Sequence, residues 1–346
     1  MKKPAIFVFI SIGILLIAVS ALIVLSISID NHTRREAYTF NLEETVGTWN
    51  LLWEKQNLHL GWVLPRNQFV ATMNTLCYVG PQEDSLFHQI SLICVNIHDG
   101  KQKWIGQADS GSSIESDEKQ VYVGGLSVRA YNAENGQKVW GRGVDARSIT
   151  GVTAYNGFVN VRATPNQFSV FDANNGTLQV EDSIPFITPH SFASDEQKIF
   201  EQFGGQVGAL NIQDDTLIWD IDFRNELLYR SVFSNGFIIV RSGWQKGTIH
   251  VIDSETGRQI WEKEGIASDF GINDTTLFFV TTQGEILAVD LETGEIQGRL
   301  ILNGGELNTQ GNVPNNTSYI VRTVDDVVLV YLGDTGQLFS FRYANE

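Results

Sequence analysis

The chain has 346 residues, 42% of them hydrophobic and 11% aromatic, with 32 glycines and a formal net charge of −16. That length admits one large all-β domain or two ordinary ones, and the apolar content excludes low-complexity disorder. Forty acidic residues against 24 basic ones exclude a nucleic-acid partner, because phosphate binding needs clustered Lys and Arg that release counterions.

From the amino end, residues 4–29 carry no ionisable side chain, and 17 of these 26 are Ile, Leu, Val or Phe. As a helix the run reaches about 39 Å, enough to span a hydrocarbon core of roughly 30 Å with some tilt. It predicts a single-pass transmembrane helix, with residues 1–30 as the anchor and a soluble part outside the cytoplasm at the cell membrane. The alternative is a signal cleaved near the small-residue stretch at 18–20, which would release a secreted protein. Against cleavage, the apolar run continues over residues 21–29. No Cys follows it to carry a lipid.

Residues 31–47 read as a linker, and residues 48–346 as one repeat domain. "VNIHDGKQKW" (95–104) is followed by "YNAENGQKVW" (131–140), "FDANNGTLQV" (171–180), "LNIQDDTLIW" (210–219), "IDSETGRQIW" (252–261) and "VDLETGEIQG" (289–298). The aligned glycines are Gly100, Gly136, Gly176, Gly257 and Gly294, with Asp215 in the fourth unit. Successive steps are 36, 40, 39, 42 and 37 residues, the length of a four-stranded propeller blade.

Within a unit, an alternating strand ends at Asp or Asn, whose short side chain can bond the turn backbone. The Gly supplies the turn, and four residues later an aromatic enters the next strand. The strand "TWNLLWEKQ" (48–56) has no partner of its own, whereas "GQLFSFRYANE" (336–346) is a third strand without a fourth. Pairing the two would close a circle and remove exposed sheet edges. The count predicts an all-β, seven-bladed β-propeller of four-stranded antiparallel sheets, with six or eight blades as alternatives.

This pattern, Ala/Val-x-Asp/Asn-x-x-x-Gly-x-x-x-Trp, resembles the tryptophan-docking repeat of the pyrroloquinoline-quinone (PQQ)-like propellers, over residues 49–346. Trp53, Trp104, Trp140, Trp219 and Trp261 match the docking position, while Val180 and Gly298 depart from it. The resemblance implies that these Trp side chains pack between neighbouring blades. It also implies looser joints at Val180 and Gly298.

The quinone-dependent enzymes of that family carry an adjacent Cys pair, a calcium site and a catalytic Asp. Here the two cysteines, Cys77 and Cys94, are far apart in sequence, so neither PQQ nor calcium is expected, and no catalytic residue is assigned. Aligned with Val121 and Ala130 of the next unit, the two cysteines face each other across paired strands, as a disulfide or as two buried thiols. The histidines at 32, 59, 88, 98, 190 and 250 show no metal spacing and read mostly as surface or loop residues. The carboxylates of "DFRNE" (222–226) and "TVDDV" (323–327) lack the alternating ligands of a calcium loop. "FGGQVG" (203–208) joins two strands and precedes no helix, so it lacks the context of a phosphate loop.

The expected function is a non-catalytic binding or scaffold propeller for a protein or ligand, held at the membrane. Its contact loops are expected at residues 80–89 and 303–316, which flank the closure. The alternatives are a PQQ-dependent oxidoreductase and a propeller subunit aiding outer-membrane protein assembly. The sequence leaves the oligomeric state open.

Overall fold

The computed structural model describes residues 37–346 except 57, 59–68, 82–89, 110–111, 145–147, 156, 165–166, 184–189, 195–196, 212, 215, 224–225, 244–245, 304–306, 308–318 and 345–346. The apolar run read as a transmembrane helix lies outside the described residues. Among those described, every regular element is a β-strand.

Two strands precede the repeats, β1 (Thr39–Val46) and β2 (Thr48–Lys55). The first sheet is β3 (Phe69–Thr72), β4 (Thr75–Pro81), β5 (Ile90–Asn96) and β6 (Gln102–Gln107). The second is β7 (Ser113–Ser116), β8 (Gln120–Gly124), β9 (Ser127–Asn132) and β10 (Lys138–Gly143), and the third β11 (Ser148–Tyr155), β12 (Phe158–Thr164), β13 (Gln167–Asp172) and β14 (Leu178–Ser183). The fourth is β15 (His190–Ser194), β16 (Lys198–Phe203), β17 (Gln206–Asn211) and β18 (Leu217–Asp222).

A fifth array holds β19 (Leu228–Ser234), β20 (Phe237–Ser242), β21 (Gly247–Asp253) and the amino half of β22 (Gln259–Asn273). The carboxyl half of β22 starts a sixth, with β23 (Thr276–Thr281), β24 (Glu285–Asp290) and β25 (Ile296–Asn303). The seventh is β26 (Tyr319–Val324), β27 (Val327–Leu332), β28 (Gln337–Ala344) and β2.

Within each array, neighbouring strands are antiparallel and joined as hairpins, except that β2 and β28 come from opposite ends of the chain. The first strand of one array adjoins the first strand of another: β26 with β3, β3 with β7, β7 with β11, β15 with β19, β19 with β22 and β22 with β26. Residues 48–55 therefore belong to the same sheet as the carboxyl-terminal strand, with Trp49 opposite Tyr343 and Trp53 opposite Ser340. One boundary differs from the sequence reading. Residues 39–46 are not linker but strand β1, which adds to the outer edge of the sixth array by pairing Thr39 with Asn303 and Phe40 with Leu302.

The cores lie between sheets. Second strands such as β8 and β23 are buried along their whole length, because both faces meet a neighbouring sheet and no polar face is needed. Outer strands such as β10 and β18 are largely exposed, with Trp140 buried and Trp219 half-buried. Each apolar cluster straddles a joint. Phe69, Leu76 and Tyr78 of the first sheet pack with Leu329, Tyr331 and Leu338 of the seventh, and Tyr122 and Ala130 of the second with Val159 and Phe171 of the third.

Candidate functional site

The repeated turn comes first, because it fixes the joints. The Asp or Asn ending the third strand accepts backbone N–H bonds from the turn: Asn132 Oδ1 from Glu134 at 3.0 Å, Asp172 Oδ1 from Asn174 at 2.9 Å, and Asp290 Oδ1 from Thr293 at 2.8 Å. The glycine N–H then closes onto the carbonyl of that same residue, as in Gly136 to Asn132 at 2.9 Å.

Each docking tryptophan lies on the turn glycine of the following sheet: Trp53 on Gly100, Trp104 on Gly136, Trp140 on Gly176, Trp219 on Gly257 and Trp261 on Gly294. Its indole N–H donates to the carbonyl of the residue after the turn's Asp or Asn. The acceptors are Ile97 (2.7 Å), Ala133 (3.0 Å), Ala173 (2.7 Å), Ser254 (3.0 Å) and Leu291 (2.8 Å). An indole needs a partner when buried, and the repeat supplies one at a fixed place.

The two irregular units separate. The Val180 side chain and Asp215 lie outside the described residues. Gly298 does not leave the expected loose joint, since a Cβ there would stand 2.6 Å from Tyr343 Cε2, and Trp49 packs against Tyr343 at 4.7 Å between ring centroids. Cys77 and Cys94 are opposite in register and joined by a disulfide with no exposed surface.

The innermost strands bring together charged residues that the sequence reading did not single out. Asp269 on β22 accepts a bond from the Arg322 guanidinium of β26 through Oδ2, with Arg230 Nη1 of β19 at 3.6 Å from the same oxygen. Its Oδ1 accepts the Val321 N–H at 2.8 Å. Arg230 also donates to the Phe270 carbonyl and lies over the Phe270 ring at 4.9 Å. Burial, and then the neighbouring Arg322, push the Arg230 guanidinium down to about 10. Glu115 on β7 belongs to the same electrostatic group, and burial pushes its carboxyl up. Arg241 on β20 donates through Nε to the Ser268 carbonyl at 2.6 Å. The group is a self-paired ionic lining that ties inner strands of different sheets together. Its signal was present as single charges inside otherwise apolar strands ("LYRSV", "YIVRT"), but alignment on the turns passes over them.

One end of the sheets carries the connections from second to third strands and from one sheet to the next. There an open cleft of about 510 Å³ is lined by Lys246, Thr248, Glu264, Gly265, Thr282 and Gln283. The β4–β5 and β25–β26 connections, which hold most of the two expected contact loops, belong to this same end. Most of their residues lie outside the described set, but the Leu307 N–H donates to the Thr282 carbonyl at 2.9 Å, so the second connection meets the cleft. The lining is polar and the cleft open, which suits an extended chain better than an enclosed small molecule.

His250 corrects the surface reading of the histidines. It is 7% exposed on β21, with Nε2 2.9 Å from Ser242 Oγ and Nδ1 3.2 Å from Gln259 Oε1. His98 is exposed beside Asn74, and the side chains of the other four lie outside the described residues. In "TVDDV", Asp326 pairs with Arg342 at 2.7 Å. No group of three His, Cys, Asp or Glu residues that could hold a metal occurs among the described residues. The adjacent cysteine pair that the resemblance attaches to PQQ differs from Cys77 and Cys94, whose disulfide joins the neighbouring strands β4 and β5.

A family model described as outer membrane protein assembly factor BamB, built on PQQ-like repeats, matches residues 88–297 and 203–341. No curated protein matches the chain. Among solved structures, BamB from Moraxella catarrhalis superposes with a TM-score of 0.50 at 11% identity, covering 86% of this chain and all of that one. The computationally designed protein Ika8 gives a TM-score of 0.50 at 13% identity over 84% of this chain and 98% of that one. Both likenesses concern the fold, a β-propeller.

Proposed function

The chain belongs to the PQQ-like repeat family described as outer membrane protein assembly factor BamB, and on that premise we propose that it is a non-catalytic, seven-bladed propeller that binds a protein partner. Residues 4–29 hold it as a single-pass anchor, with the propeller outside the cytoplasm. The observation that carries the reading is the convergence at one end of the sheets. The cleft at Lys246, Glu264, Thr282 and Gln283 shares that end with both expected contact loops, and the second reaches it through Leu307, where connections can vary without disturbing the docked turns at the opposite end.

The seven blades are the seven arrays traced above, closed by β2 on β28. The inner charges favour a structural role over chemistry, since Asp269 is committed to two arginines and a backbone N–H. Neither PQQ nor calcium enters this reading.

A photo-crosslinking side chain placed at Gln283 in the full-length protein, in its native membrane, tests it. A discrete protein adduct from Gln283, absent when the probe stands at Asn235 on the opposite end, is expected. Equal and diffuse labelling from both positions would remove the partner-binding rim. A thermal shift on adding PQQ and calcium would instead favour the oxidoreductase.

The family's description favours a second reading, in which the partner belongs to the machinery that assembles outer-membrane proteins. Loss of outer-membrane barrel proteins on deletion of the gene supports it. An envelope without an outer membrane excludes it.

A further inference from the structure

Five joints are closed by a tryptophan from the preceding sheet, but the sixth-to-seventh joint cannot be. Its docking position is Gly298, and the Tyr343 ring stands where any side chain there would begin. At the opposite end of this joint, the turn between β27 and β28, with Asp334, Gly336 and Gln337, is filled. Tyr38 enters it from the amino-terminal segment and is 4% exposed.

Three hydrogen bonds hold it. The Tyr38 hydroxyl donates to Asp334 Oδ2 at 2.7 Å, its backbone N–H donates to Gln337 Oε1 at 2.7 Å, and Gln337 Nε2 donates to its carbonyl at 3.2 Å. The ring joins the cluster of Phe278, Leu300, Leu302, Val330, Leu332 and Phe339, drawn from both sheets. Directly after Tyr38, β1 pairs with β25 of the sixth array, and β2 then pairs with β28 of the seventh. A single stretch of 18 residues, 38–55, therefore crosses the joint.

We propose that residues 38–46 are a strap that locks this joint in cis from the end opposite the docked turns, where Tyr38 supplies the aromatic wedge, so that closure of the propeller is governed by the segment adjoining the membrane anchor. The five tryptophan-docked joints are locked by residues internal to the repeats. This one is locked by a segment that enters from outside them, and its occupancy responds to whatever holds residues 1–36. Unlocking it would free an aromatic-accepting slot at Asp334 and Gln337 while leaving the tryptophan-docked joints intact.

Hydrogen exchange on the full-length protein tests the strap, comparing wild type with Tyr38→Ala, Tyr38→Phe and Asp334→Asn. Tyr38→Ala is expected to speed exchange at least ~10-fold, the factor for 1.4 kcal/mol, in peptides from β25, β27 and β28. Peptides from β4, β8 and β12 should be unaltered. Tyr38→Phe and Asp334→Asn should give smaller accelerations in the same peptides, since the first removes the hydroxyl bond, the second takes the charge from its acceptor, and both keep the ring. Unchanged exchange in Tyr38→Ala, or acceleration spread evenly over every sheet, would overturn the proposal. Should Tyr38→Ala fail to fold, unchanged exchange in the other two variants overturns it equally.

Discussion

The indole N–H of Trp140 donates to the Ala173 carbonyl at 2.7 Å, while its ring covers Gly176 so closely that a Cβ there would stand 2.6 Å from Cδ2. One side chain thus reads both the conformation of the next sheet's turn and its distance. Trp140 is 5% exposed, so Trp140→Ala should cost about 3–5 kcal/mol of unfolding free energy. Trp140→Phe keeps an aromatic body and removes the indole donor from a carbonyl that still accepts from Gln120 Nε2 at 3.1 Å, and should cost about 1 kcal/mol. Denaturant midpoints of the two variants check the order.

Two glycines separate backbone from packing. Gly136 (φ +72°) and Gly157 (φ +76°) share the left-handed region, but a Cβ on Gly136 would lie 2.5 Å from Trp104 whereas one on Gly157 meets nothing within 4 Å. Gly157→Ala should lose only the backbone cost of about 1–2 kcal/mol. Gly136→Ala should lose that plus roughly 1–3 kcal/mol of overpacking. Equal losses in equilibrium unfolding would mean that the wedge yields freely.

Removing Asp269 leaves Arg230 and Arg322 facing each other across inner strands without the shared carboxylate. Asp269→Ala should destabilise by about 3 kcal/mol, near the lower end for breaking a buried pair because the site keeps some solvent. Asp269→Asn should lose less, since an amide oxygen can still accept the Val321 N–H. Thermal unfolding at low and high salt checks both, with each variant's loss relative to wild type narrowing as salt screens the arginine repulsion.

Burial holds the Glu115 carboxyl above the ordinary glutamate range, so the folded protein keeps that proton to higher pH than the unfolded chain. Stability from this group is complete below the unfolded value, about pH 4.3, and is lost as pH rises through the folded value. Glu115→Gln should therefore match wild type near pH 4 and exceed it at pH 7. Urea midpoints across that range decide. A variant weaker than wild type at pH 7 would show that attraction to Arg230 and Arg322 outweighs the burial.

The repeat was legible because each turn uses the same chemistry at the same offset, an Asp or Asn cap, a Gly and a Trp. Cys77 and Cys94 could be placed opposite each other because hairpin register carries over from one unit to the next. β1 and Tyr38 were not legible, since they stand outside the period and their partners, Asn303 and Gln337, lie hundreds of residues away. The inner charges escaped for a related reason. Glu115, Arg230, Asp269 and Arg322 come from four different strands, and no spacing along the chain brings them together.

The pairing of β2 with β28, and of Tyr38 with Gln337 across 299 residues, makes closure the most distant contact in the fold. Joining ends that far apart costs about 5 kcal/mol of chain entropy before any contact returns it. Strands β1 and β2 are made first and gain their partners in β25 and β28 only when nearly the whole chain has been synthesised. Throughout that interval two strands wait with unsatisfied backbone edges, and the protein is at its most aggregation-prone. A product ending before Gln337 would leave β2 without its partner strand, so the carboxyl-terminal strand acts as a checkpoint for complete chains.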